Sequence, residues 1–200
     1  ALSAFSSLFP FPLMELLVVS LLLWLIFYPV WKRKKGIPWR KILLREMEML
    51  AWIYVWFYLG WGLNYFRYNI YTRLQTPPVP YEEQHFKDFL KDYTERLNTT
   101  YQSETEIDSE KLKEYVHTFY AKLPSAYGLS QPKEWQEPKE FIFTSLYNKV
   151  GVLGSMNPFF AETQLNGDLP KVQYPFTYAH EFSHLLGVSN EAEANYWAYR

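Results

Sequence analysis

From Phe11 to Val30 the chain is almost wholly apolar, a length that, wound as a helix, reaches across the roughly 30 Å hydrocarbon core of a bilayer. Glu15 is its only charge. It lies near one end, where a carboxylate can reach the interface at less cost than at the bilayer centre. A cleaved signal peptide is the competing account. It is disfavoured because the basic cluster Lys32, Arg33, Lys34 and Lys35 follows the apolar run instead of preceding it. Arg40, Lys41 and Arg45 extend that basic stretch, and a second apolar segment, rich in Trp and Tyr, runs from Met47 to Phe66. A long buried helix of a soluble protein could read the same way. Two apolar runs bracketing a short basic loop, however, form the pattern of a membrane hairpin whose loop stays in the cytoplasm. The expectation is a hairpin over residues 1–67 with helices at about 11–30 and 47–66. It would sit in the cytoplasmic (inner) membrane as a multi-pass anchor, with everything after Arg67 extracytoplasmic.

Composition narrows the rest. The net charge of -1 gives no surface for nucleic acid, so that class of partner is set aside. Cysteine is absent, which leaves His and carboxylate as the ligands for any metal site. Aromatic residues make up 20% of the chain, and their crowding in the first third agrees with the interfacial preference of Trp and Tyr. The chain starts at Ala1 and stops at Arg200 within a helical pattern, so both ends are expected to continue in the natural protein.

Pro77, Pro78 and Pro80 mark a linker over 68–80. Beyond it, 81–200 reads as one α+β domain. Phe86, Phe89, Leu90, Tyr93 and Leu97 recur at helical spacing between Tyr81 and Tyr101. Asp108 or Ser109 can cap a second helix to about Lys122, with Leu112, Tyr115, Val116 and Phe119 inward. Phe141 to Tyr147 reads as a strand and Phe159 to Leu165 as another, turned by Asn166-Gly167-Asp168. Placed ahead of the residues discussed next, the second strand is a candidate to pair with an extended peptide, with Thr163 in its path.

The chemistry is carried by His180-Glu181-Phe182-Ser183-His184, followed by Gly187 and Glu191-Ala192-Glu193-Ala194-Asn195. Residues four apart share one helix face, so His180 and His184 can bind one zinc ion. Glu181 adjoins the first ligand, where a general base for an attacking water belongs. Pro175 suits the first turn of this helix and Gly187 the residue past its end. A glycine turn and a second helix from about Asn190 would return a carboxylate as third ligand. Glu191 and Asn195 share a face, so Glu191 is assigned as ligand and Asn195 as the residue orienting a ligating histidine. Glu193 stands three after Asn190, the spacing of a capping box, and is the alternative metal ligand. A buried His pair of the ordinary kind would not carry a carboxylate between its members. His85 and His117, on other helices, read as surface or satisfied residues. Tyr174, Tyr178, Tyr196 and Tyr199 fall near the site, where a tyrosine could stabilise an oxyanion, although packing is their ordinary use.

HExxH with a downstream ExxxN resembles the gluzincins, a zincin group in which the spaced glutamate is the third zinc ligand. Their usual residue four further on is Asp, here Asn195. Leu8-Phe9-Pro10-Phe11, Trp61 through Arg67, Asn157-Pro158-Phe159 and the run from Pro175 to Tyr196 are similar to segments of a bacterial membrane family labelled domain of unknown function 3810. That resemblance covers nearly the whole chain. It implies two transmembrane helices followed by a zincin-like metallopeptidase domain, a further membrane helix upstream, and more residues downstream. The function so implied is a membrane-anchored zinc peptidase acting on a peptide or protein at the outer surface of the bilayer. The alternatives are a catalytically inactive zincin-like domain serving as partner in a membrane complex, and hydrolysis of a non-peptide amide such as cell-wall material.

Overall fold

The computed structural model describes residues 2–101 and 106–200. A short helix α1 (Leu2–Ser6) leads through the prolines at 10 and 12 into α2 (Leu13–Lys34). Among the described helices, α2 is the one long and apolar enough to cross a membrane, and the rest of the chain covers almost none of its apolar surface. A four-residue turn, 35–38, sends the chain back along it as α3 (Trp39–Gly60).

Here the structure corrects the expected second span. Arg40, Lys41 and Arg45 belong to the helix and not to a loop, and α3 ends at Gly60 instead of Phe66. The apolar part, 47–60, rises only about 21 Å, short of a bilayer core. Residues Gly62–Phe66 form a 3-10 turn. The helix stops because Trp61 turns its indole towards the domain, a contact with no signal in the local pattern.

After α4 (Ile70–Arg73), capped by Asn69, the proline-rich stretch carries no helix until α5 (Glu83–Thr100). None of the residues of α5 is fully buried, and of its apolar stripe Tyr93 packs on Tyr199 while Phe86, Phe89, Leu90 and Leu97 stay exposed. The Asp108 carboxylate accepts from the Lys111 N–H at 3.1 Å and opens α6 (Ser109–Ala121). Val116 and Tyr120 enter the core from this helix, with Leu112 and Phe119 beside them. Tyr115, expected inward, faces out.

Through Tyr120 and His117, α6 packs directly on the helix that carries Ala179 and Phe182, and a small sheet follows α6 in the chain. Its strands are β1 (Lys139–Glu140), β2 (Gly154–Asn157) and β3 (Glu162–Leu165), in the order β1-β3-β2. β3 is parallel to β1 and antiparallel to β2, with Met156 opposite Thr163 and Asn157 opposite Glu162. Two expectations are overturned. Phe141–Tyr147 is not a strand: the chain turns at Phe141, and Thr144–Val150 forms helix α7. The strand expected over 159–165 is confined to 162–165 and is the central one. Thr163 is fully buried, so β3 offers no edge to a peptide. The open edges belong to β1 and β2, each of which pairs with β3 alone among the described residues.

Helix α8 (Tyr174–Leu185) packs across β2 and β3, and α9 (Glu191–Tyr199) folds back on α8. Tyr178 and Phe182 on one face of α8 join Tyr120, Leu165, Ala194 and Trp197 in the core. The opposite face is left for His180 and His184. The core therefore fixes the rotation of α8 about its own axis.

The apolar helices are joined to the sheet by buried polar contacts. Glu15, buried, accepts from the backbone N–H groups of Ile142 at 3.0 Å and Phe143 at 2.9 Å. Glu162 accepts from the Met14 N–H at 3.1 Å and from Lys139 Nζ at 2.7 Å. Lys139 also donates to the Ser6 carbonyl at 2.7 Å. Glu162 is thus paired with Lys139, while Glu15 is held by backbone donors alone.

Candidate metal centre

Three elements bring the site together: α8 supplies both histidines and Glu181, the turn at Gly187 reverses the chain, and the first residue of α9 supplies Glu191. Gly187 has a φ of 104°, and a Cβ there would collide with the guanidinium of Arg67. Conformation and space both require glycine.

His180 Nε2 and His184 Nε2 stand 3.1 Å apart. Glu191 Oε2 lies 3.2 Å from the first and Oε1 3.5 Å from the second. A tetrahedral site with bonds near 2.0 Å has edges of about 3.3 Å, so these donors already define one face of such a site. The His184 Nδ1 faces the Val188 carbonyl at 2.7 Å. A carbonyl can only accept, which puts the proton on Nδ1 and leaves the Nε2 lone pair for a metal. Burial, with His184 nearby, pushes the pKa of His180 down and favours its neutral form. The donor set thus fits zinc: two neutral imidazoles and a carboxylate, with Glu191 largely exposed on the solvent side.

Glu181 is buried beside β2. Loss of solvation and the charge of Glu191 push its pKa up to about 8, while the Met156 backbone N–H pulls the other way. Gly154 makes room for it, since a Cβ there would lie 2.8 Å from Glu181 Cγ and 3.0 Å from Thr177 Cγ2.

The remaining expected residues divide clearly. Asn195, on α9, lies near enough to the His180 ring to favour protonation, yet His180 Nδ1 is buried without an aligned hydrogen-bond partner. The orienting bond expected from Asn195 is therefore not formed in this geometry. Glu193 turns away from the histidines. Its N–H is capped by the Asn190 side chain at 3.0 Å, and its carboxylate pairs with Arg73 and accepts from the Trp197 indole. The four tyrosines singled out by sequence do not line the cleft, and Tyr178 is packed in the core. His85 is exposed beside Glu82, and His117 Nε2 meets the Gln136 carbonyl at 2.9 Å over the ring of Phe182.

Sequence reading missed the residues that hold the site from outside. The Trp61 indole donates to the His184 carbonyl at 2.9 Å, and Arg67 donates to the Gly187 carbonyl at 2.7 Å and to the Gly128 carbonyl. The Asn64 carbonyl accepts from Ser189 at 3.1 Å. One segment, Trp61 to Arg67, thus braces the whole α8–α9 turn. The available signal was the run Trp61 through Arg67 itself, one of the segments that carry the family resemblance.

The cleft over the metal-binding face has a volume of about 350 Å³. Phe57, Trp61 and Tyr65 form one wall, and Gly154, Ser155 and Met156 another. A larger cleft of about 570 Å³ lies elsewhere, between the N-terminal segment and β1, where Lys139 and Glu162 engage each other.

Neither the curated proteins nor the solved structures include a match to this chain. The profile of one family, described as a protein of unknown function (DUF3810), matches residues 1–200, and the chain belongs to that family.

Proposed function

We propose that the protein is a membrane-anchored zinc peptidase. The observation that carries this reading is the convergence of His180, His184 and Glu191 on one point, with Glu181 beside them in a cleft open to solvent. The HExxH and ExxxN spacing, similar to that of the gluzincins, supports it. A metal held by three protein donors keeps a position free for water or substrate, as catalytic zinc sites do and closed structural ones do not.

In the proposed reaction His180, His184 and Glu191 hold the zinc. When bound there, zinc supplies Lewis-acid chemistry, acidifying water and polarising a carbonyl. Glu181 takes the proton of the attacking water and later delivers it to the leaving amine. Burial and the charge of Glu191 raise its pKa in the metal-free chain, and a cation alongside would lower it, favouring the carboxylate that accepts the proton. Val188 keeps His184 in the ligating tautomer through its carbonyl. Tyr65 is the tyrosine that lines the cleft among the described residues, and we assign it the oxyanion role in place of the four expected from sequence.

The apolar α2 supports anchoring in the cytoplasmic membrane, and the basic residues around the 35–38 turn support a cytoplasmic position for it. The aromatic second half of α3 would then return to the outer surface, where the domain and its peptide or protein substrate meet. Zinc analysis of the purified chain tests the reading. One zinc per chain, weakened or lost in His180→Ala and Glu191→Ala, together with peptide cleavage abolished by Glu181→Gln, is the expected result. A chain that binds no zinc after reconstitution is instead a scaffold within a membrane complex.

A further inference from the structure

The second apolar helix does not merely carry the domain. Phe57 on its last turn, with Trp61 and Tyr65 just beyond, faces His180, Glu181 and His184 across a single cleft. The hairpin tip between β2 and β3 leans on the same turn. The ring of Phe159 lies 6.1 Å from both Trp56 and Phe57, and that of Phe160 lies 5.7 Å from Trp56. A Cβ on Gly60 would meet the Pro158 carbonyl at 3.1 Å. At the same end of the hairpin, the first turn of α2 is fixed to the sheet through Met14 to Glu162 and through Glu15 to α7. The apolar surface of α2 resumes directly after Glu15, with Leu16 exposed. Leu59, at the end of α3, and Leu63, Tyr65 and Phe66, in the 3-10 turn that follows, are all exposed, and Tyr65 lines the cleft. Aromatic and aliphatic side chains in such numbers at a helix end belong at the level of lipid headgroups.

We infer that this cleft takes a polypeptide anchored in the same bilayer, entering sideways along the membrane surface with the bond to be cut only a few residues from its anchor. Three structural relationships converge on this. The cleft wall is the end of α3, while the start of α2, the apolar helix of the proposed anchor, is tied to the same domain. On that reading the metal-binding face sits near the bilayer boundary and not on a stalk above it. The open edge of β2 runs beside that wall and can accept an extended backbone. The wall of Phe57, Trp61 and Tyr65 offers apolar rings, which suit the first residues emerging from a hydrophobic anchor. The inference rests on the peptidase reading for the fate of the bond, while the place of binding stands on the geometry alone.

The test uses the full chain, zinc-loaded, in liposomes. The probe is a library of degenerate decapeptides carrying a photo-crosslinking group, presented free or through an N-terminal palmitoyl anchor with spacers of about three or about twenty residues. An extended spacer of three residues reaches about 10 Å from the membrane, one of twenty about 70 Å. Cleavage of the short-spacer library at least about tenfold faster than the free library is the expected result, because anchoring raises the local concentration and the site lies within reach. Equal cleavage of free and anchored peptides, or cleavage through the long spacer alone, overturns the inference and leaves the peptidase reading intact. If nothing is cut, the peptidase reading falls, and cross-linking decides the rest. Capture of the short-spacer probe by residues 57–65 upholds the place of binding, and no capture overturns it. The Glu181→Gln protein run in parallel removes cleavage by contaminants from the comparison.

Discussion

The indole N–H of Trp61 donates to the backbone carbonyl of His184, which also accepts the Gly187 N–H at 3.0 Å. The peptide plane of a histidine of the candidate metal site is thereby held from the end of the second helix. Replacing Trp61 by Phe keeps an aromatic ring but deletes the bond. The expected cost is about 1 kcal/mol, seen as a fall in melting temperature of roughly 2–4 °C. Zinc affinity should fall in parallel, and unchanged affinity would mean that Trp61 supports the fold without reaching the site.

Glu191 and Glu193 are two residues apart and have opposite fates. Glu191→Gln should weaken zinc binding with little change in the stability of the metal-free protein, since its side chain is largely exposed. Glu193→Gln should leave zinc affinity within a fewfold while destabilising the fold by about 3 kcal/mol, because it strands the half-buried Arg73. Equilibrium unfolding with and without chelator, combined with zinc titration, separates the two.

Stability of the metal-free protein should depend on pH through Glu181. Its pKa is raised to about 8 in the folded state, so the stabilisation of its neutral form is complete below the usual carboxylate range and is lost as pH climbs towards 8. The slope reaches up to about 1.4 kcal/mol per pH unit within that window. His180 works at the acid side: its lowered pKa removes stability as pH falls below the ordinary histidine value of 6.5. Between about 6.5 and 8, therefore, the loss belongs to Glu181. Denaturation curves of Glu181→Gln in chelator should be flat across this interval. A slope matching the parent protein would sink the assignment.

Gly154→Ala inserts a methyl between β2 and Glu181, within 3.1 Å of the Gln164 carbonyl as well. The expected cost is about 1–3 kcal/mol from overpacking. Peptide cleavage should fall far more than zinc content, because Glu181 is displaced while both histidines stay in place. Equal losses of zinc and activity would show that the strand supports the metal and not the base.

Where side-chain period and caps act locally, the sequence was a sufficient guide. Helices α5, α6, α8 and α9 follow from apolar spacing together with Asp108, Pro175, Gly187 and Asn190, whose effects reach only a few residues. The pairing of His180 with His184 was legible for the same reason, since a four-residue step fixes a helix face. What escaped was decided at long range. Phe141 to Tyr147 has strand-like composition, but Glu15 binds the N–H groups of Ile142 and Phe143 from 127 and 128 residues away and so frees the chain to begin α7. Strand β2 contains Gly, Ser, Met and Asn, with no β-branched or aromatic residue to announce it. Its pairing with β3 supplies what its composition lacks. The end of α3 was set by a bond from Trp61 to a residue 123 positions later.

The contacts of Glu15, Met14 and Trp61 bear on how this protein can be handled. Cutting the chain within the proline-rich stretch would not release a self-sufficient soluble half. It would leave Glu162 and Lys139 without the backbone groups of Met14, Ser6 and Phe11, expose the N–H groups of Ile142 and Phe143, and unlatch the turn beneath the histidines. The helical hairpin and the domain are thus a single cooperative unit, and whatever medium surrounds the exposed apolar face of α2 becomes part of the folding solvent for the candidate site itself.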